Sequence, residues 1–288
     1  MSVIDDATAG PRTDPASQPT PQRAPRGERK QLDSVGHVGR FAAVLASVIT
    51  LIPLPVVILV ALSESWVQGP LAGLTMEWLT AAWTRMGDAV LVSLRIAVIV
   101  LIIDMAVALP ASWLVARYRF PGRSLIRSLS TLPIAVPGIA IGLGLILTFP
   151  ELRPTGWLLV GGHILYTMPF LFGTLLPAMS DPRLQEKETV ASSLGVGPLR
   201  RFFTVTAPGV RTALLAGTLM VLTLSLGEFN VSFFLFTPTE QPMPVSLFDS
   251  YLTGRIESAA AQTVLFLALV IPPAIAMEKL GGAKAGQA

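Results

Sequence analysis

Six residues place charge or a strong hydrogen-bonding group inside otherwise apolar stretches: Arg95, Asp104, His163, Tyr166, Glu228 and Asn230. In a membrane such groups are expensive, and they mark transport pathways, proton relays or bonds between helices. None sits in a catalytic pattern. The chain has no HExxH, no GxSxG and no paired-carboxylate motif. Its two histidines, His37 and His163, lack a His or Cys partner at metal-ligand spacing, and there is no cysteine. Thiolate metal sites and disulfides are therefore excluded, and a histidine-based metal site is not expected. GGAKAG near the C-terminus lacks the GxxxxGK[ST] spacing that cradles phosphate. The chemistry left is binding and passage, not bond breaking.

Position divides these residues further. Asp104, in the middle of an apolar run, either lines a pathway or bonds a neighbouring helix. Arg95, near the outer start of that run, is placed to snorkel to the interface. His163 and Tyr166 share one apolar segment, where packing is expected of both, and Tyr166 is also a pathway candidate. Glu228 and Asn230 follow Gly227. Glu228 either faces the pathway, where it would favour a cation, or pairs with a residue such as Arg95.

The elements that must hold these groups are membrane spans. The chain is 52% hydrophobic and 14% charged, with mean hydropathy +0.63, where soluble domains carry about 25% charged residues. About six segments approach the ~20 residues that cross a ~30 Å hydrocarbon core. They are Phe41–Ser63, Ala89–Ala116, Ser128–Phe149, Gly156–Met179, Gly209–Phe236 and Ser258–Met277. The expected fold is an all-α polytopic membrane protein. Pro133, Pro137 and Pro169 predict kinks, and Gly138 with Gly142 forms a GxxxG pattern for close helix packing. Leu74–Arg85 predicts a short helix at the outer interface, or an ordinary aromatic-belt loop.

Residues 1–40, rich in Pro, Ser, Gln and charge, read as a disordered basic tail without a signal peptide. Residues 41–279 form the spanning domain and 280–288 a short tail. Lys and Arg cluster in the N-terminal tail, in Arg117–Arg127, in Arg183–Arg211 and at Lys279 and Lys284. By the positive-inside rule both termini face the cytoplasm. The small net charge of +3 sits in loops and does not indicate nucleic-acid binding.

Between the fourth and fifth spans lies Asp181–Pro208, a polar insertion that this topology puts in the cytoplasm. Asp181 caps a helix that Pro182 opens, and Gly195 stops it. Leu184, Val190, Ala191 and Leu194 form its approximate apolar stripe. Pro198 opens a second helix carrying Leu199, Phe202 and Phe203. A helix–turn–helix knob with exposed apolar groups suits a groove on a soluble partner.

This insertion resembles the EAA loop of binding-protein-dependent ABC importer permeases, whose pattern runs E-A-A, three residues, Gly, then nine residues to I-x-L-P. With Gly195 on the glycine, the triplet falls on Thr189, Val190 and Ala191, and Pro208 closes the motif. Glu188 stands one residue before the nominal glutamate. VALPASWLVARYRFPGR, LPIAVPGIAIGLGL and LSLGEFNVSFFLFTP resemble further segments of the family. The resemblance covers about Phe41–Lys279 and implies a type I importer permease fold with a cytoplasmic coupling helix. It implies no nucleotide site in this chain, ATP and Mg being bound by partners. Those partners would be two ABC ATPase subunits, a second permease, identical or homologous, and an extracytoplasmic solute-binding protein, all at a bacterial inner membrane. The ATPase-docking residues would be Glu188, Thr189, Val190, Ala191, Leu194, Gly195, Pro198 and Pro208. Asp104, Tyr166, Glu228 and Asn230 would be the pathway candidates. A polyamine-type cargo is preferred, with phosphonate, oxyanion, ferric iron and thiamine open. The alternatives are an ion-gradient-driven transporter or channel, which would show symmetry-related intramembrane carboxylates, and an intramembrane enzyme.

Overall fold

The computed structural model describes residues 26–69, 73–131 and 135–285. Among them the regular structure is helical, with isolated bridges at Ser63–Leu74 and Thr237–Glu240. The chain divides into two units, residues 1–54 and 55–288. In the first, helix α1 runs Arg26–Leu51. The stretch 26–40 is thus helical where a tail was expected, while residues 1–25 lie outside the described residues. From Gly39 onward α1 is exposed, including Phe41, Val44 and Val48.

Pro53 opens helix α2, Pro53–Leu62. Helix α3, Glu77–Arg117, follows as one continuous element. No separate interfacial helix forms at 74–85. The lone Gly87 costs only about 1 kcal/mol in a helix, so nothing breaks the chain between Trp78 and the expected span start at Ala89. At 1.5 Å per residue these 41 residues extend about 60 Å, roughly twice a hydrocarbon core. Along one face of α3, Ala89, Ser93, Ala97, Asp104, Ala108 and Ser112 are buried. Small residues at such steps let neighbouring backbones approach.

Helices α4, Arg123–Thr131, and α5, Gly138–Thr148, stand where the third span was expected. Pro137 caps α5, and Pro133 lies outside the described residues. Helix α6 covers Trp157–Met179 and keeps Pro169 in its interior. The insertion forms α7 (Pro182–Ser193), α8 (Pro198–Arg201), a π-helical turn (Phe202–Thr206) and α9 (Ala207–Gly209). Helix α10 is Arg211–Leu226 and α11 is Asn230–Leu235. The expected fifth span is thus broken at Gly227–Phe229. Helix α12, Met243–Thr253, lies between the expected fifth and sixth spans, and α13 is Ile256–Ala285.

Among the described residues four stretches are long and apolar enough to cross a membrane, Gly39–Leu62, Glu77–Arg117, Trp157–Met179 and Ile256–Ala276, and the bent pair Pro198–Gly209 with Arg211–Leu226 makes a fifth if it is one span. The expected third and fifth spans are not single long helices. A proline-capped start limits α5 to 11 residues, and the Gly227 break ends α10 after 16.

The core is built around α6, which packs against α3, α10 and α11. Ile96, Val100, Leu171, Leu175, Val221 and Val231 belong to one buried cluster. The GxxxG pair does what its spacing predicts, because α5 lies against α11. A methyl on Gly142 would sit 3.1 Å from Phe234 Cβ and 3.3 Å from the Val231 carbonyl oxygen. At one end of this bundle α3 and α6 finish and α7 to α9 begin. At the other end Arg95 pairs with Glu240, and Arg153 donates to the Phe236 carbonyl at 3.0 Å.

Candidate functional site: the α7–α9 knob and the buried polar network

The knob is built by local rules. The Asp181 carboxylate accepts from the Arg183 N–H at 2.8 Å, and Pro182 occupies the first turn of α7. At its far end the Gly195 N–H donates to the Ser192 carbonyl at 3.0 Å and the Val196 N–H to Ala191 at 3.1 Å. That pattern is a Schellman motif, which needs a left-handed residue, and Gly195 has φ +80°. A Cβ there would meet nothing within 4 Å. The backbone conformation, and not space within this chain, demands the glycine. Gly197 and Pro198 then turn into α8, and the segment 198–209 meets α10 at 75°.

Val190, Leu194, Leu199 and Phe203 stand out from this knob, Leu194 at 77% and Leu199 at 72% exposure. Thr189, Pro198 and Pro208 are exposed, and Ala191 is half-buried. The knob therefore presents an apolar surface without burying it.

Glu188 does not belong to that surface, contrary to the sequence expectation. It is 5% exposed and faces inward. The Arg117 Nε donates to its Oε2 at 2.5 Å and Nη2 to its Oε1 at 2.9 Å. The Thr206 hydroxyl donates to Oε1 at 2.5 Å, and Arg117 Nη1 donates to the Met179 carbonyl. Burial acts to raise the Glu188 pKa, but the bonds from Arg117 and Thr206 and the charges of Arg117 and Arg201 outweigh it. The carboxyl is held below its ordinary 4.5. The physical reason for the inward turn is helical phase. Glu188 lies four residues after the buried Leu184 and shares its face. In the sequence Arg117 reads only as a topology charge, and Thr206 falls on a position of the motif's closing I-x-L-P that carries no stated role.

The intramembrane candidates separate in the same way. Asp104 is fully buried between helices, and the Thr167 hydroxyl of α6 donates to its Oδ2 at 2.6 Å. It bonds a neighbouring helix. Its Oδ1 has no partner among the described residues. His163, also buried, places Nδ1 2.9 Å from Ser225 Oγ on α10 and Nε2 2.8 Å from Ser232 Oγ on α11. One imidazole thus bridges the break in the expected fifth span. Sequence reading missed this role, because the two serines are ordinary residues in apolar helices. Glu228, 4% exposed, accepts from the Val231 N–H and caps α11. It does not pair with Arg95, whose partner is Glu240. Asn230 is exposed, and Tyr166 is half-buried with its ring 5.9 Å from Phe170. A cavity of about 400 Å³ borders the break, lined by Gly227, Phe229, Leu247, Phe248, Tyr251 and Phe266 among others. Among the described residues no cluster of His, Asp or Glu could hold a metal ion.

The helix–turn–helix knob forms where Asp181, Pro182, Gly195 and Pro198 predict it, while the break in the expected fifth span is a feature that only the structure shows. The family model of the binding-protein-dependent transport system inner membrane component matches residues 108–281, more than half of the chain. The chain belongs to this family. It is a permease subunit of the ABC-importer type and an integral membrane protein. PhnV of Salmonella typhimurium, a permease protein named for 2-aminoethylphosphonate transport, is 26% identical over 251 residues, covering 84% of this chain and 93% of PhnV. The sulfate transport system permease protein CysW of Escherichia coli is 31% identical over 188 residues, covering 60% of this chain and 64% of CysW. In fold, the permease resembles a chain of a bacterial ABC transporter for import of the acidic polysaccharide alginate. The TM-score is 0.63 at 15% identity, covering 88% of this chain and 98% of that one. A second structure of the alginate transporter, in complex with its alginate-bound periplasmic protein, matches with the same TM-score. These relatives give the polyamine preference no support, since their names point to phosphonate and sulfate.

Proposed function

We propose that this permease couples cargo passage to an ABC ATPase that docks on the α7–α8 knob. The observation that carries the reading is the exposed apolar ridge of Val190, Leu194, Leu199 and Phe203, on two helices fixed by the Gly195 turn. Large apolar side chains displayed on a short helical projection fit a groove on a partner. The knob lies at the end of the bundle where Arg117, Arg119, Arg123 and Arg127 also lie in sequence, which by the positive-inside rule is the cytoplasmic end. Two permease subunits, each with one ATPase, form the passage. A solute-binding protein delivers cargo at the opposite end, where Arg95 and Glu240 pair. Both termini are cytoplasmic. ATP and Mg act in the ATPase and not in this chain.

For the cargo we favour a small phosphonate or a related oxyanion. The near full-length alignment with PhnV supports this class, as does the similarity to CysW. Binding assays with the solute-binding protein encoded beside this gene test it, using 2-aminoethylphosphonate, sulfate and spermidine as ligands. Tight binding of spermidine alone would reject the class. Docking is tested by co-purifying the neighbouring ATPase with Leu194→Glu and Leu199→Glu variants. The reading expects loss of the ATPase from folded permease. Full retention in both variants would overturn it.

A further inference from the structure

The knob has two chain connections, Ser180–Asp181 into α7 and the 75° bend into α10. Connections alone would let it pivot when pushed. A clamp prevents that. Arg117 is the last residue of α3, and its planar guanidinium reaches both oxygens of Glu188 on α7 and the Met179 carbonyl at the end of α6. The same carboxylate takes the Thr206 hydroxyl from the π-helical turn that leads to α10. One buried ion pair therefore ties the ends of α3 and α6 to α7 and to the turn that leads on to α10 at a single point. Beside it, Leu184 packs on Gly209, with its Cδ1 2.5 Å from where a methyl there would be. That contact packs α7 closely against α9, just ahead of α10.

We propose that the Arg117–Glu188 pair is the linkage that carries displacement of the knob into α3, α6 and α10 as one body. The proposal rests on the docking reading above. Fold stability alone does not call for an ion pair here, because apolar residues of similar volume often replace buried pairs without loss. What the pair adds is direction. The arginine fork fixes angle as well as distance to a carboxylate, and lysine cannot reproduce it. Arg117 and Glu188 are thus positioning residues for coupling, and neither touches cargo.

The test uses the assembled transporter in proteoliposomes, with the solute-binding protein present, and reads cargo taken up per ATP hydrolysed. The double variant Arg117→Met/Glu188→Leu keeps the volume and removes the fork. It should unfold close to the wild-type temperature yet lose at least about fivefold in uptake per ATP, within the usual range of coupling between sites. Wild-type uptake per ATP in that variant would overturn the proposal. If the double variant does not fold, Arg117→Lys decides. A lowered ratio supports the linkage, and an unchanged ratio overturns it. Leu194→Glu run beside them separates the two ideas. If it and Leu199→Glu both keep the ATPase, the docking reading fails. If it loses its ATPase while the clamp variants couple normally, only the linkage fails.

Discussion

Replacing Arg117 with methionine should destabilise the permease by an amount set by the contacts it removes. Methionine fills a similar volume but deletes two charge-assisted bonds to Glu188 and one to the Met179 carbonyl. The carboxylate stays 5% exposed with only the Thr206 hydroxyl as partner. Stranding one member of a buried pair costs about 3–5 kcal/mol. At the roughly 2–4 °C per kcal/mol seen for domains of 150–250 residues, the melting temperature falls by about 10 °C. Adding Glu188→Leu should recover most of that loss. The pH dependence follows from the sign of the shift. In the wild type the folded Glu188 pKa lies below 4.5. Its contribution is therefore complete above the ordinary unfolded value and is lost as pH falls through the depressed folded pKa. In the methionine variant burial without Arg117 favours the neutral acid, so acidification relieves the penalty. The gap between the two proteins is widest at neutral pH and closes on the acid side. Thermal unfolding in detergent from pH 7 to 4 measures it. A double variant as unstable as the single one, or a gap that widens on acidification, would refute the reasoning.

Gly142→Leu should push α5 from α11, because even its Cβ would lie 3.1 Å from Phe234 Cβ. Overpacking of this kind costs about 1–3 kcal/mol, readable as a lower unfolding temperature. An unchanged temperature would remove the close-packing role. His163→Phe should leave the Ser225 and Ser232 hydroxyls without their shared partner. Each stranded hydroxyl costs about 1–3 kcal/mol, and Ser225→Ala/Ser232→Ala in the same background should restore part of the loss. If those alanines lower stability further, the imidazole is not what satisfies the serines.

Local signals made most of the knob legible in the sequence. Asp181, Pro182, Gly195 and Pro198 each act within a few residues, and the helix ends fall where they point. The existence of apolar segments was legible for the same reason, since length and hydropathy are local. What depended on distant partners was not. Glu188 meets Arg117 across 71 positions, and Asp104 meets Thr167 across 63. Nothing in a window around either residue announces its partner. Glu188 did carry one usable hint, its four-residue step from Leu184. The motif's glutamate position falls on Thr189, which is exposed, one step round the helix from the buried Glu188. The fifth span read as continuous because Gly227 alone is tolerated in membrane helices. The capping carboxylate of Glu228 and the two serines on His163 make the break stable, and these act only once the helices are packed.

The central claim is that the α7–α8 ridge is the ATPase-docking surface. The chain has no cysteine, so a single cysteine can be placed at will. Leu194→Cys on the ridge and Leu147→Cys on α5 are both at exposed positions. With a short thiol-reactive photo-crosslinker on each, in membranes that contain the neighbouring ATPase, the account predicts an adduct with the ATPase from position 194 and none from 147. An adduct from 147 but not from 194 would contradict it.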